Sequence, residues 1–224
     1  MNVVLITGTS KGLGLELARG YLEAGYFVVG VSRRRPAIEA KGYDHLIGDV
    51  TDDECEGRLR SCLLSLPIRK IDIVVNNAGS GSFGSSLSLV EPNEVLKQFE
   101  VHCLGALRVL RGAREFLHSA KIVNVTSRLA STAQNLRGDF IDGGFSYGYR
   151  IAKCAQNMLS LCLMHDPELS GIKVISVVPG QLRTDSASSD ANRTAKAGAK
   201  AVIDTVDRAS ASGIYHAFDD EATY

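Results

Sequence analysis

Two residues four positions apart carry the most specific chemistry in this chain: Tyr149 and Lys153, in the run Tyr149-Arg150-Ile151-Ala152-Lys153. They fall near the start of a stretch with helical apolar spacing, so the phenol and the ammonium share one face, a turn apart. A phenol with a pKa of about 10 is a poor acid or base at neutral pH, and a nearby cation favours phenolate. A tyrosine so placed can give a proton to a carbonyl oxygen, or take one from an alcohol, while a hydride moves. Tyr147 is a weaker rival because Ile151 stands four residues after it. The same spacing also describes an ordinary solvated helix face, so the pair needs corroboration from the rest of the chain.

A second cluster suits phosphate. Thr7-Gly8-Thr9-Ser10-Lys11-Gly12-Leu13-Gly14 lies between an apolar β-branched run and a helical pattern. Glycines there permit a tight turn and close approach of backbone amides to a pyrophosphate at the positive end of a helix. The spacing is neither GxGxxG nor a P-loop. The next strand pattern ends Ser32-Arg33-Arg34-Arg35, without the acid that would bond both ribose hydroxyls of NAD. Arg33 or Arg34 offers bidentate donors to a 2′-phosphate and Lys11 adds a second cation, which favours NADP(H) over NAD(H).

These residues need a scaffold that brings distant turns together. Short β-branched runs, at 2–6, 27–32, 45–48, 71–75, 121–126, 172–177 and 213–218, alternate with helical patterns at 13–24, 52–66, 92–118, 147–164 and 194–209. Alternation of this kind predicts an α/β fold with a parallel sheet. The near-continuous apolarity of Val3-Val4-Leu5-Ile6 and Val174-Ile175-Ser176-Val177-Val178 predicts helices on both faces, a doubly wound sheet. Stretches of loop composition at 79–88, 131–146 and 183–192 each follow a predicted strand, where ligand crevices form in open α/β sheets.

Taken in order, the motifs resemble the short-chain dehydrogenase/reductase family over nearly the whole chain. Thr7 to Gly14 is similar to its TGxxxGxG turn, Asp49-Val50 to the acid after its third strand, and Asn76-Asn77-Ala78-Gly79 to its NNAG. Ser127 is similar to its active-site serine, Tyr149 and Lys153 to YxxxK, and Pro179-Gly180 with Thr184 to PGxxxT. The resemblance implies a Rossmann fold in a single domain over 1–224. It implies that Ser127 bonds the substrate oxygen, Tyr149 is the acid or base, and Lys153 binds the nicotinamide ribose and lowers the tyrosine pKa. It places the cofactor along Gly8, Ser10, Lys11, Gly12, Leu13 and Gly14, along Ser32, Arg33, Arg34, Asp49 and Val50, along Asn77, Ala78 and Gly79, and along Pro179, Gly180, Leu182 and Thr184. The expected activity is interconversion of a small-molecule ketone or aldehyde and an alcohol. The long helices with Cys103 and Cys154 correspond to those that pair between subunits in the family, which implies a homodimer or homotetramer.

Two features depart from the pattern. His102 stands where the family has an asparagine that anchors a relay water; a histidine can hold a water and titrate near neutrality, so an altered relay with His102 among the catalytic residues is expected. The long gap between Ser127 and Tyr149 is similar to a carbonyl reductase subgroup related to the sniffer and C-signal proteins. His102 also raises a second reading, a nucleotide-binding sensor or signalling protein on the same fold.

Bulk properties fit these readings. The 224 residues carry 25 basic and 25 acidic side chains, so no global charge draws the chain to nucleic acid or anionic membrane. The apolar start at Asn2 to Ile6 is too short for a signal sequence or membrane span. The five cysteines, Cys55, Cys62, Cys103, Cys154 and Cys162, have no metal-ligand spacing and read as buried thiols of a reducing cytoplasm, with no metal site.

Overall fold

The computed structural model of the chain describes residues 1–81, 86–140, 146–183 and 193–218. Seven parallel strands form one sheet: β1 (Val3–Thr7), β2 (Phe27–Ser32), β3 (Tyr43–Ile47), β4 (Ile73–Asn76), β5 (Lys121–Val125), β6 (Lys173–Val178) and β9 (Gly213–His216), in the order β3-β2-β1-β4-β5-β6-β9. Leu182–Arg183 (β7) and Arg193–Thr194 (β8) pair separately. The order reverses between β1 and β4, the topological switch point of a doubly wound Rossmann-type sheet, and the crevice there lies at the carboxyl ends of the strands.

Strand alternation sends neighbouring side chains to opposite faces. Val3 and Leu5 join a core with Leu59 and Leu63 of α2 (Cys55–Ser65), Val109 and Leu110 of α4 (Gly105–Ala113) and Leu163 of α6 (Tyr147–Met164). Val4 and Ile6 join the other core, with Leu17 and Tyr21 of α1 (Gly12–Glu23) and Val202 and Val206 of α7 (Ala195–Arg208). Both faces are thus covered, which explains the unbroken apolarity of the strands.

The expected helix over 92–118 is interrupted. α3 (Pro92–Phe99) passes into a π turn at Glu100–Leu104 before α4 begins, with Gly105 N donating to Glu100 O across the widened turn. The expected loop at 131–146 contains α5 (Thr132–Arg137), started by Ser131 Oγ accepting from Gln134 N and ended by Gly138 in the left-handed conformation. Of the cysteines, only Cys55 and Cys103 are buried; Cys154 and Cys162 project from the exposed side of α6, which corrects the expectation of five buried thiols. Among the described residues no helix is long and apolar enough to cross a membrane, and no cluster of potential metal ligands occurs.

Candidate active site

The first turn is built to let backbone approach backbone. Gly8 and Gly12 adopt φ of 76° and 58°, which disfavour a side chain. A Cβ on Gly14 would lie 2.2 Å from Gly8 O and 2.4 Å from Asn77 Nδ2. That space is occupied by a lock between the two motifs. Asn77 Nδ2 donates to Thr7 O at 2.9 Å, and Thr7 Oγ1 accepts from Asn77 N at 3.0 Å and Ala78 N at 2.9 Å. The Lys11 side chain does not cap the start of α1, and the first amides of that helix form an anion-accepting end.

At the end of β2, Arg33, Arg34 and Arg35 are exposed, while Ser32 is buried with its hydroxyl 2.8 Å from Arg34 O and 2.9 Å from His45 Nε2. Asp49 Oδ1 accepts from Thr51 N and Thr51 Oγ1, and Asp49 Oδ2 lies 3.8 Å from Arg33 Nη1. Val50 is buried against Gly105 at the start of α4. The glycine cradle and the start of α1 beside it fit the pyrophosphate of a nicotinamide dinucleotide. Ser10 and Lys11 occupy the same turn, and Leu13 packs its side chain into the core.

On the other side of the switch point four expected residues converge. Ser127 follows β5 and its Oγ accepts from Leu129 N at 3.2 Å; the serine hydroxyl faces the Tyr149 phenol and pulls its pKa down. Tyr149 sits in the first turn of α6, which Ser146 Oγ caps by accepting from Tyr149 N. Lys153, 4% exposed, donates to Val125 O at 2.7 Å and Gln156 Oε1 at 3.0 Å. Its Nζ lies 5.8 Å from the centre of the Tyr149 ring.

The electrostatics correct one expectation. Burial pushes the Tyr149 phenol up, with the Ser127 bond pulling it back, so it is not depressed in this arrangement. Burial is the cause, and it also holds the pKa of Lys153 down to about 7, where the lysine donates to two carbonyl oxygens.

His102 lies beside Tyr149, and its charge differs from the expectation. The π turn carries it inward, where its ring meets the Tyr149 ring edge-on with centroids 5.4 Å apart. Its Nε2 lies 3.1 Å from Ser80 O; a carbonyl only accepts, so Nε2 carries the hydrogen. Its Nδ1 has no partner among the described residues. Burial, then the Lys153 charge, holds its pKa well below the usual histidine value, so it is a neutral acceptor at pH 7 and does not titrate near neutrality. Gly79 makes room for it, since a Cβ there would lie 2.4 Å from His102 Cε1.

Sequence reasoning missed several contributors. Gln156 and Asn157 lie one turn beyond Lys153, Asn157 Oδ1 accepting from Thr126 Oγ1 at 2.7 Å; polar residues on the inward face of a helix were the available signal. Arg150 donates to Phe140 O at 2.9 Å and to Asn135 Oδ1, tying α5 to α6 beside Ser127. Gly180 has φ of 81°, and a Cβ there would meet the Phe218 ring at 2.9 Å; Pro179 precedes it, and Leu182 is buried against Gly198. Thr184 lies outside the described residues.

Residues 2–196 match the family described as short chain dehydrogenase. The 1-hydroxy-2-glutathionyl-2-methyl-3-butene dehydrogenase of Rhodococcus sp. (strain AD45) is 32% identical over 188 residues, covering 83% of this chain and 80% of that protein. The C-signal of Myxococcus xanthus is 29% identical over 140 residues, 61% of this chain and 81% of that protein. Among solved structures, the carbonyl reductase Sniffer of D. melanogaster superposes with a TM-score of 0.85 at 22% identity over 97% of both chains. The NADPH-bound carbonyl reductase from chicken fatty liver gives 0.84 at 19% identity, again over 97% of both chains.

Proposed function

Because the chain belongs to the short-chain dehydrogenase family of oxidoreductases, we propose that it interconverts a ketone or aldehyde and the matching alcohol with NADP(H), Tyr149 transferring the proton. The whole chain, 1–224, is read as one cofactor-binding and catalytic unit. The observation that supports this reading is the gathering of His102 and Lys153 around the Tyr149 ring, 5.4 Å and 5.8 Å from its centre, with the Ser127 hydroxyl facing the phenol. A carbonyl oxygen seated against that pair meets two O–H donors. Ser127 orients it, and Tyr149 gives up its proton as negative charge builds on the oxygen. The raised phenol stays protonated at neutral pH, as reduction requires. Lys153, whose pKa is held down to about 7, lowers the cost of the phenolate left behind when it carries its proton.

The nicotinamide, when bound, supplies or accepts the hydride. Its dinucleotide would be held by the Gly8–Gly14 turn and the start of α1, and its 2′-phosphate by Arg33 or Arg34. The absence of an acid from Ser32 to Arg35 supports NADP(H) over NAD(H). His102 contributes an unprotonated Nδ1 beside Tyr149, an acceptor suited to holding a relay water.

The test is loss of NADPH absorbance against a panel of ketones and aldehydes. Tyr149→Phe should cut turnover by at least about 100-fold; undiminished activity would refute the proton role. Nucleotide binding with no turnover across the panel would favour the sensor reading instead.

We also propose self-association, as a homodimer or homotetramer, through the outer face of α6, where Ile151, Met158 and Leu161 are 49%, 59% and 42% exposed along one stripe. Light scattering of the protein in solution checks it, a monomer at micromolar concentration being the contrary result.

A further inference from the structure

A buried polar layer lies beneath the arginine-bearing turn, between β2, β3 and the glycine turn. His45 of β3 is buried, and its Nε2 lies 2.9 Å from Ser32 Oγ. The same oxygen lies 2.8 Å from Arg34 O and 3.3 Å from Thr9 Oγ1. Thr9 is fully buried, and its Oγ1 accepts from Tyr43 OH at 3.3 Å.

Proton accounting fixes the direction of every bond. Arg34 O can only accept, so the single O–H of Ser32 is directed to it. His45 Nε2 and the Thr9 hydroxyl must then donate to the two lone pairs of Ser32 Oγ, and Tyr43 donates to Thr9. The chain of donors starts on β3, passes the glycine turn at Thr9 and ends on the peptide joining Arg34 to Arg35. It therefore ties the phosphate-binding turn to the segment that presents Arg33 and Arg34. Gly30, beside this layer on β2, keeps it open, since a Cβ there would lie 2.3 Å from Tyr43 OH and 2.8 Å from Thr9 Oγ1.

We infer that His45 is a positioning residue for recognition of the cofactor's 2′-phosphate: by filling a lone pair of Ser32 it commits the serine proton to Arg34 O and holds the turn that aims the arginines. This rests on the NADP(H) reading above. His45 lies at the base of the turn and reaches the ligand only through Ser32 and the arginines. Burial, with Arg35 adding to it, keeps its pKa below the usual histidine value, so the neutral Nε2–H donor is the form present at pH 7.

The test uses the whole protein and calorimetric binding of two nucleotides, adenosine 2′,5′-bisphosphate and adenosine 5′-monophosphate. The wild type should prefer the bisphosphate. His45→Leu, which removes the donor, should lower affinity for the bisphosphate by about fivefold and for the monophosphate by less than about twofold. His45→Gln, whose amide can donate in place of the ring, should restore the preference. Ser32→Ala should show the same selective loss, and serves by itself if His45→Leu does not fold; where His45→Leu folds, adding it to Ser32→Ala should cost nothing further. Equal weakening of both nucleotides, or additive losses in the double variant, would overturn the inference. A wild type indifferent to the 2′-phosphate would instead remove the NADP(H) reading on which it stands.

Discussion

The buried Lys153 makes a prediction about stability that needs no substrate. In the folded chain its pKa is about 7, against an ordinary value of 10.5, so between those pH values the unfolded chain binds more protons than the folded one. Such a group destabilises the fold below pH 10.5, the penalty growing until it levels off below pH 7. Stability therefore rises with pH across this window. Integrating the proton difference from pH 7 to pH 9 gives a gain of about 2 kcal/mol from this one side chain. Other groups titrate in the same range, among them Cys55 and Cys103, whose raised pKa values act in the opposite sense. The quantity to measure is thus a difference between proteins. Lys153→Met keeps the length and apolar stem, removes the charge and leaves Val125 O and Gln156 Oε1 without their donor. Urea unfolding of wild type and variant, without nucleotide, at pH 7 and pH 9 should show the wild type gaining about 2 kcal/mol more than the variant. His102 does not disturb the comparison, because its pKa lies well below the window. Parallel pH dependences in the two proteins would refute the claim that a lysine desolvated in this site governs the slope.

Other perturbations follow from the same geometry. Gly79→Ala places a methyl 2.4 Å from His102 Cε1, and should lower stability by about 1–3 kcal/mol in urea unfolding while displacing the ring from Tyr149. The depressed pKa of His102 means that its contribution to stability is present above about pH 6.5 and is lost as pH falls below it; His102→Asn should flatten that acid limb in the same assay. Arg150→Ala removes the tie to Phe140 O and Asn135, and should speed amide exchange across residues 132–140 by about tenfold or more while exchange in β5 stays unchanged.

The sheet was legible because β1, β2, β4, β5 and β6 are short runs dominated by β-branched and apolar residues, and because α6 begins at Tyr147 behind a serine cap and keeps helical periodicity to Met164. Tyr149, Lys153 and Ser127 were legible through motif order, and the structure brings them together. What escaped reading lacks a periodic signature. A π turn adds one residue to a helical pattern, and between Glu100 and Leu104 the apolar spacing hides it. α5 has only six residues, too few for periodicity, and is set by Ser131 and Gly138 at its ends. His45 occupies an inward strand position where an apolar side chain is the ordinary choice, and its purpose appears only when Ser32 and Thr9 are seen beside it. The charge states of Tyr149, Lys153 and His102 follow from burial, a property of the assembled fold.

The π turn also sets a phase. Each residue of an α-helix advances about 100° around its axis, so one extra residue rotates everything after it relative to everything before. α3 leans on α6, whereas α4 presents Gly112 to α2 so closely that a Cβ there would lie 2.8 Å from Glu56 O. Deleting one residue between Glu100 and Leu104 would restore a regular helix and swing Val109, Leu110 and Ala113 out of the core they share with α2. The bulge that aims His102 at Tyr149 is therefore also the joint that lets α3 and α4, in one run of chain, serve two neighbours facing different ways, so that a sequence change erasing the first role would dismantle the second.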